Sequence, residues 1–223
     1  MARFTRIQVV QKIHETGLVP IFYHADLDTA KNIVKACYEG GVRVMEYTNR
    51  GDFAHELYSE LNKFIIREMP EMIFGVGTVM DAATTALFIQ SGANFIVSPV
   101  LKEDMALTCN RRKIAWMPGC GSASEISRAE ELGAELVKIF PAQSVGGPGF
   151  VKAVKGPMPW SSLMISGGVE ASEENLKQWF DAGAACVGMG ANLISPEVLK
   201  NKDYGLLRKN VENVLATIRK VKK

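Results

Sequence analysis

Short apolar runs alternate with longer amphipathic stretches along the chain, at nearly even spacing. Apolar runs bounded by turn residues are typical of strands buried on both faces, and amphipathic stretches with capping residues at their ends predict helices. Strands are predicted over 18–23, 42–48, 72–78, 94–99, 114–118, 136–141, 163–166 and 186–189. Helices are predicted over 5–16, 29–39, 52–68, 81–90, 102–112, 123–132, 149–154, 172–182 and 204–221.

The order of these elements predicts the fold class. One helix precedes the first strand, and eight strand-then-helix units follow without a linker or a low-complexity tract. Such alternation implies a parallel sheet, and eight units closed on themselves give an α/β fold of the (β/α)8 TIM barrel type. An open doubly wound sheet is the rival, but it often carries GxGxxG after its first strand, and none follows Tyr23. We therefore expect a single barrel domain over 1–223 with an extra N-terminal helix.

Composition and charge narrow the classes of function. The chain has 26 basic and 24 acidic residues, so no global field attracts nucleic acid or a membrane surface. The opening residues form no long apolar segment, and no apolar run reaches about 18 residues, so we expect a cytoplasmic protein. The cysteines and histidines show no metal-ligand spacing, which predicts reduced thiols and no metal site.

A lysine, Lys138, lies in the middle of the apolar run 136–141. Burying an ammonium group is costly without a partner. Lys138 therefore either pairs with an acid or loses its proton more readily, and a neutral amine is a nucleophile for carbonyls. A structural ion pair, or a lysine that extends to water from a strand end, is the alternative.

Glu46 is one of very few acidic residues within a predicted strand. Because side chains alternate between the faces of a strand, one face is expected to carry Val42, Val44, Glu46 and Thr48, and Arg50 continues it. Strands two and six lie opposite each other in an eight-stranded barrel, so Glu46 is expected to approach the buried lysine. It either neutralises the ammonium or relays its proton, and the two roles are compatible.

Glycine-rich segments end three of the predicted strands. The segment 75–78 allows close backbone approach and brings the Thr78 hydroxyl to the barrel mouth, although a helix cap is a competing role for this threonine. The segments 166–168 and 188–191 end strands seven and eight. Barrels often bind phosphate there on free backbone N–H groups, so the two clusters together predict a phosphate site.

Six segments occur in an order that resembles a known family. They are 41–50, 75–78, 95–99, 117–119, 138–142 and 167–169. Together they resemble the class I aldolases that act on 2-keto-3-deoxy-6-phosphogluconate (KDPG) and on 4-hydroxy-2-oxoglutarate (KHG). The likeness runs from about Val9 to the C-terminal helix. The combination of 46–50 with the strand that carries Lys138 is its specific part.

The resemblance implies a mechanism that cleaves a keto acid into pyruvate and an aldehyde. Lys138 would form a Schiff base with the keto acid, and Glu46 would shuttle protons. Arg50 and Thr78 would hold the pyruvate carboxylate, a task that suits a planar guanidinium. Because the lysine supplies the electrophile, no metal or organic cofactor is expected.

The resemblance also assigns the pocket wall, the distal site and the assembly. The expected wall residues are Pro99 and Phe140. The expected distal phosphate site consists of main-chain amides and neighbouring groups at Ser166, Gly167, Gly168, Gly190 and Ala191. The family further implies a homotrimer.

Three positions depart from the pattern of the family. Ala191 stands where relatives commonly have serine, Ile165 and Ser166 stand where they tend to have proline and threonine, and Tyr23 with His24 follows the first strand where arginine is frequent. Losing one hydrogen bond to a charged group costs on the order of 1.5–3 kcal/mol. We therefore expect an intact catalytic centre and a weaker preference for phosphate.

Other functions remain open at the level of the sequence. An aldolase for a non-phosphorylated or different 2-keto-3-deoxy sugar acid is the nearest alternative. A phosphate-binding barrel isomerase or synthase without Schiff-base chemistry would keep the glycines but would not need Lys138 opposite Glu46. A catalytically silent barrel would predict decay of the catalytic set, and every member of that set is present.

Overall fold

The computed structural model describes residues 2–222, and Met1 and Lys223 at the ends of the predicted domain lie outside them. The helices are α1 (Arg6–Thr16), α2 (Leu27–Glu39), α3 (Ala54–Glu68), α4 (Ala82–Gln90), α5 (Glu103–Arg112), α6 (Ala123–Glu131), α7 (Gly147–Lys155), α8 (Glu173–Asp181), α9 (Pro196–Asn201) and α10 (Tyr204–Val221). The strands are β1 (Leu18–Phe22), β2 (Val44–Thr48), β3 (Ile73–Gly77), β4 (Phe95–Val97), β5 (Ala115–Met117), β6 (Gly119–Cys120), β7 (Val137–Ile139), β8 (Leu163–Ser166) and β9 (Cys186–Met189).

All strand pairs are parallel, and the strands follow the order β5-β4-β3-β2-β1-β9-β8-β7-β6. The ends of this order, β5 and β6, are separated in sequence by Pro118 alone. One segment therefore pairs with β4 through its first half and with β7 through its second half, which closes the sheet. The prediction of a (β/α)8 TIM barrel with an extra N-terminal helix is confirmed.

A close backbone approach explains the break at Pro118. The proline nitrogen carries no hydrogen and cannot donate to a ladder, but its carbonyl accepts from Lys138 N at 2.9 Å. Gly119 follows, and a Cβ built on it would lie 2.3 Å from the carbonyl carbon of Pro99. The sequence analysis predicted one continuous strand over 114–118, because this contact with a distant residue is invisible in the local pattern.

The interior of the barrel is filled by inward side chains and is closed at one end by α1. The bottom layer consists of residues at or next to strand starts, among them Val19, Val44, Ile73, Phe95, Ala115, Leu136 and Cys186, packed with Val9 and Ile13 of α1. Helix α1 begins with a capping box between Thr5 and Gln8, which satisfies free N–H groups of its first turn. The extra helix thus leaves the C-terminal ends of the strands, the barrel mouth, as the open end.

Three elements differ in detail from their predictions. Val42 precedes β2 and packs in the outer core instead of sharing the inward face with Glu46. Helix α7 begins at Gly147, because Pro148 is tolerated in a first turn. Helix α9 was not predicted, although Ser195 caps it by accepting from Val198 N and Pro196 starts it. None of the helices within 2–222 is long and apolar enough to cross a membrane.

Candidate active site

Lys138 is the central residue of β7 and is 6% exposed. Its backbone pairs with Gly119 on one side and with Met164 on the other. Since its neighbours Val137 and Ile139 belong to the outer core, alternation of side chains directs Lys138 into the barrel. The ammonium lies 5.0 Å from the centroid of the Phe140 ring, where the ring quadrupole attracts a cation.

Glu46 is the central residue of β2 and is 1% exposed. Four strand steps separate β2 from β7 in either direction around the barrel, counting β5 and β6 as one strand. Burial raises the pKa of the Glu46 carboxyl, and the charges of Lys138 and Arg50 oppose that rise. Its Oε2 is buried without a hydrogen-bond partner among residues 2–222. Such an atom is costly to bury, so this carboxyl is placed for something other than stability.

Gly77 provides the space that Glu46 occupies. The two residues lie on neighbouring strands, and a Cβ built on Gly77 would lie 1.7 Å from Glu46 Oε1, a distance that no two atoms tolerate without a bond. Gly75, directly opposite Glu46 in the ladder, similarly accommodates the Phe95 ring, 2.4 Å from its would-be Cβ. Gly77 therefore leaves the space for the carboxyl, and Gly75 leaves the space for the Phe95 ring.

Arg50 and Thr78 both lie at the barrel mouth, just past the ends of β2 and β3. Arg50 is exposed and follows β2 in a turn where its N–H donates to Thr48 O at 2.9 Å. Thr78 follows β3 and adopts φ of +61°, which is uncommon for a β-branched residue. Asp81 caps α4 by accepting from Thr84 N, so the competing role of Thr78 as the cap does not hold.

The two predicted wall residues border the amine side of the mouth. Phe140 follows β7, and 38% of its side chain is exposed. Pro99 follows β4 and is half-buried, with its backbone against Gly119. The Phe140 ring and Pro99 are thus brought to the two strands that flank the closing segment, β5 with β6.

The predicted distal residues form two linked loops after β8 and β9. Ser166 ends β8 and is buried, while Gly167 and Gly168 follow it with φ of +91° and +87°. A side chain at Gly168 would meet Gln143 Cβ at 2.5 Å. After β9, the Gly190 carbonyl accepts from Leu193 N and Ile194 N in a helical turn, which leaves early N–H groups of that turn free.

A single side chain links these two loops. Asn192 Nδ2 donates to Val169 O at 2.7 Å. Asn175 holds the first loop from the other side, because its Oδ1 accepts from Glu170 N at 2.8 Å and its Nδ2 donates to Gly168 O at 3.3 Å. The glycine segments are therefore fixed relative to each other, as an anion site built from backbone N–H groups requires.

A cavity of about 350 Å³ lies between the ends of β1, β2 and β9. Its lining residues are Ile21, Phe22, Tyr23, Thr48, Arg50, Gly190, Ala191, Ile194, Pro196 and Leu199. The sequence analysis named Arg50, Gly190 and Ala191 but missed the apolar wall from 194–199. The signal for that wall was the Ser-Pro start of α9, which was not recognised.

The ionisable groups at the mouth favour amine and carboxyl chemistry. Among residues 2–222, no group of three His, Cys, Asp or Glu side chains is arranged to hold a metal ion. Cys120 lies on β6 and is buried, and burial raises the pKa of its thiol to about 12, so the thiolate nucleophile is scarce at neutral pH. Glu46 and Lys138 are the charged side chains that are buried among residues 2–222.

Comparisons with known proteins point to one family. The sequence model of a family described as KDPG and KHG aldolase matches residues 9–210. The 2-dehydro-3-deoxy-phosphogluconate aldolase of Pseudoalteromonas atlantica is 36% identical over 152 residues, which cover 68% of this chain and 69% of the relative. The KHG/KDPG aldolase of Escherichia coli K12 is 31% identical over 201 residues, covering 89% and 91%.

Solved structures give the same result. The KDPG aldolase of Legionella pneumophila, with pyruvate captured as a covalent carbinolamine intermediate, superposes with a TM-score of 0.84 at 26% identity and covers 93% of this chain and 98% of its own. The 2-keto-3-deoxy-6-phosphogluconate aldolase of Zymomonas mobilis ZM4, with 3-phosphoglycerate, superposes with a TM-score of 0.83 at 25% identity, covering 96% and 98%.

Proposed function

Because the chain belongs to the KDPG and KHG aldolase family, we propose that it is a Schiff-base aldolase that reversibly cleaves a 2-keto-3-deoxy acid into pyruvate and an aldehyde. Membership of this family makes the protein an aldehyde-lyase. For a KDPG-like acid the aldehyde is glyceraldehyde 3-phosphate, and for 4-hydroxy-2-oxoglutarate it is glyoxylate. The observation that supports this chemistry is a buried lysine across the barrel from a buried carboxyl whose Oε2 has no hydrogen-bond partner among residues 2–222.

The reaction begins at the Lys138 amine. Its neutral form attacks the C2 carbonyl of the keto acid and gives a carbinolamine, which loses water to form a protonated imine. The imine withdraws the electron pair of the C3–C4 bond as that bond breaks, so the pyruvate half becomes an enamine. Protonation of the enamine at C3 and hydrolysis of the imine release pyruvate and restore the amine.

Glu46 is the proton carrier of this sequence. Its ionised form accepts the proton of the C4 hydroxyl while the C3–C4 bond breaks and the aldehyde carbonyl forms. Its neutral form returns the proton to the departing water or to C3. Burial raises the pKa of Glu46 above the usual range for a glutamate, which increases the share of the neutral form and suits a group that gives a proton as well as taking one.

The remaining residues of the mouth bind and orient the substrate. Arg50 and Thr78 hold the carboxylate of the pyruvate half, and Phe140 and Pro99 shield the imine from water. The two glycine loops bind the distal end of the acid on backbone N–H groups. Their members are Ser166, Gly167, Gly168, Gly190 and Ala191, and the chain needs no metal or organic cofactor for these steps.

The assembly is proposed to be a cytoplasmic homotrimer. Exposed large apolar side chains support an assembly through one face of the barrel, called here the α3–α5 face. It comprises Phe53, Ile66, Met80, Leu87 and Leu107, which lie on or just before α3, α4 and α5. Apolar surface of this kind on neighbouring helices favours association.

Borohydride reduction tests the covalent step. The purified protein is reduced with and without pyruvate, and its peptides are mapped by mass spectrometry. We expect a pyruvate-dependent mass increase on the peptide that contains Lys138 and none in Lys138→Arg, whose guanidinium keeps the charge but does not form the imine. A folded wild-type protein without an adduct at several pH values would contradict the proposed function.

A further inference from the structure

The cavity between the ends of β1, β2 and β9 lies to one side of the proposed catalytic pair. Neither Lys138 nor Glu46 is among the described residues that line it. Strand β9 is two steps from β7 around the barrel, so a substrate bound to the lysine reaches the cavity only with the part that points away from the amine. In the proposed reaction, the pyruvate carboxylate meets Arg50 at the edge of the cavity, and the half that leaves as the aldehyde extends toward Gly190 and Ala191.

Tyr23 is one of the residues that line this cavity. Its ring lies against the buried ring of Tyr47, with centroids 5.7 Å apart. Its Oη lies over the turn that carries Arg50, only 2.7 Å from where a Cβ of Gly51 would be, and Gly51 adopts φ of +78°. The half-buried tyrosine is therefore held on two sides, while its hydroxyl has no hydrogen-bond partner among residues 2–222.

Apart from the backbone of Gly190 and Ala191, the rest of the lining offers few groups that recognise a second anion. Arg50 is the one charged side chain among the described residues around the cavity, and the proposed mechanism uses it for the pyruvate carboxylate. The Thr48 hydroxyl already donates to Phe22 O at 3.2 Å. Ile194, Pro196 and Leu199 form an apolar wall. The apolar wall suits the carbon–hydrogen groups of a ligand, and the free tyrosine hydroxyl suits one polar group of the same ligand.

We propose that Tyr23 determines which aldehyde half the enzyme accepts, by hydrogen bonding to a hydroxyl of a hydroxylated aldehyde of three or more carbons. This inference rests on the proposed aldolase function. Glyoxylate is a shorter acceptor that carries a carboxylate next to its aldehyde carbon and no hydroxyl group, so it lacks the group that Tyr23 is proposed to recognise. Glyceraldehyde and its 3-phosphate share the hydroxyl that Tyr23 recognises and differ only at the end that meets the glycine loops.

The test compares three acceptors in the addition of pyruvate: glyceraldehyde, glyceraldehyde 3-phosphate and glyoxylate. Tyr23→Phe removes one oxygen and keeps the ring contacts. We expect its kcat/KM to fall about 3- to 10-fold with the three-carbon acceptors, mainly through KM, because a neutral hydrogen bond is lost from both ground state and transition state. With glyoxylate we expect no change. Comparing glyceraldehyde with glyceraldehyde 3-phosphate shows whether the terminal phosphate makes a separate contribution to kcat/KM.

Tyr47→Phe is the matched control. It removes the hydroxyl of the adjacent ring, which points to His24 O at 3.4 Å and lies outside the cavity, and it should leave the order of acceptor preference unchanged. A loss in Tyr23→Phe that glyoxylate does not share supports the inference, and an equal change with all three acceptors, or no change with any, overturns it.

Two further measurements distinguish a failure of the inference about Tyr23 from a failure of the proposed aldolase function. Should Tyr23→Phe not fold, as judged by circular dichroism, the wild-type preference decides: faster addition to glyoxylate than to both three-carbon acceptors overturns the inference. The pyruvate adduct on Lys138 is measured independently. Its absence contradicts the aldolase function itself, whereas an adduct without acceptor discrimination contradicts only the role of Tyr23.

Discussion

Glu46 is the residue in which function and stability most directly oppose each other. Its carboxyl is buried and its Oε2 lacks a hydrogen-bond partner among the described residues. Burial disfavours the ionised form and therefore raises its pKa, with Lys138 and Arg50 offsetting part of the effect. A carboxyl that must stay ionised part of the time in such a place destabilises the fold at neutral pH.

The variant Glu46→Gln separates the proposed contribution of this carboxyl to catalysis from its effect on stability. We expect kcat to fall by about 10²- to 10⁴-fold, the usual contribution of a general acid–base group, while thermal stability at neutral pH increases. Because the folded-state pKa is raised, the neutral carboxyl is the form the fold prefers, so wild-type stability relative to the variant falls as pH rises through that pKa. The gap in unfolding temperature should close in acid. Thermal unfolding between acid and neutral pH measures it.

An exposed glutamate provides the control for Glu46→Gln. Glu174→Gln on α8 changes the same chemical group at the surface and should leave both kcat and the unfolding temperature close to wild type. A Glu46→Gln variant that is less stable than wild type at neutral pH would show that this carboxyl has a stabilising partner, contrary to the account above.

The sequence was sufficient to identify candidate reactive residues but not the groups that surround them in the fold. Lys138 and Glu46 were predicted from a charge within an apolar strand, and their placement on opposite strands follows from counting eight units. Counting strands could not decide how closely Glu46 approaches Lys138, since the position of the carboxyl depends on the space that β3 leaves beside it. Tyr23 was noted only as a departure from relatives, because a cavity made by three separate loops has no local signature.

Strand β3 shows how an element controls a residue on its neighbour. Gly77 faces Glu46 so closely that any side chain would displace the carboxyl. In Gly77→Ala, we expect a fold close to wild type by circular dichroism but a loss of kcat of about 10²-fold or more, since the proposed general acid–base group is moved from its position. Steady-state kinetics of pyruvate release measures the loss.

Gly149→Ala is the corresponding control in a helix. Gly149 lies in α7, and a Cβ there meets nothing within 4 Å. Replacing glycine by alanine in a helix stabilises by roughly 0.5–1 kcal/mol, so the control should keep full activity and unfold at a slightly higher temperature. Full activity in Gly77→Ala would mean that the position of Glu46 does not limit the reaction.

Elements with strong local signals were predicted well, and those set by distant contacts were not. Helix α2 has such a local signal, since Asp26 precedes it and caps it by accepting from Thr29 N at 2.7 Å. The division of one strand into β5 and β6 was missed because it depends on Gly119 reaching Pro99. Helix α9 was missed because a six-residue helix has too few positions to show a periodicity.

At the scale of the whole molecule, the proposed trimer makes the α3–α5 face testable. Leu87→Glu places a charge on that face, where burial of an unpaired carboxylate opposes association. We expect the wild type to have three times the 24.4 kDa mass of the chain in light scattering, and the variant to have a lower mass. Leu206→Glu on α10 is a matched control, since both leucines are 43% exposed.

Two results would contradict this prediction. A wild-type mass other than that of a trimer would remove the proposed assembly, and a trimer that persists in Leu87→Glu but dissociates in Leu206→Glu would move the contact to another face. The family membership does not depend on either result, since it rests on similarity over residues 9–210.

The helix that closes the bottom of the barrel also has a kinetic consequence. With α1 packed against the strand starts, the mouth is the route by which both products depart. In the proposed reaction the pyruvate half is still bonded to Lys138 when the C3–C4 bond breaks, and the other half is free. Cleavage is therefore an ordered process in which the aldehyde leaves first, and synthesis in reverse must load pyruvate before the acceptor enters.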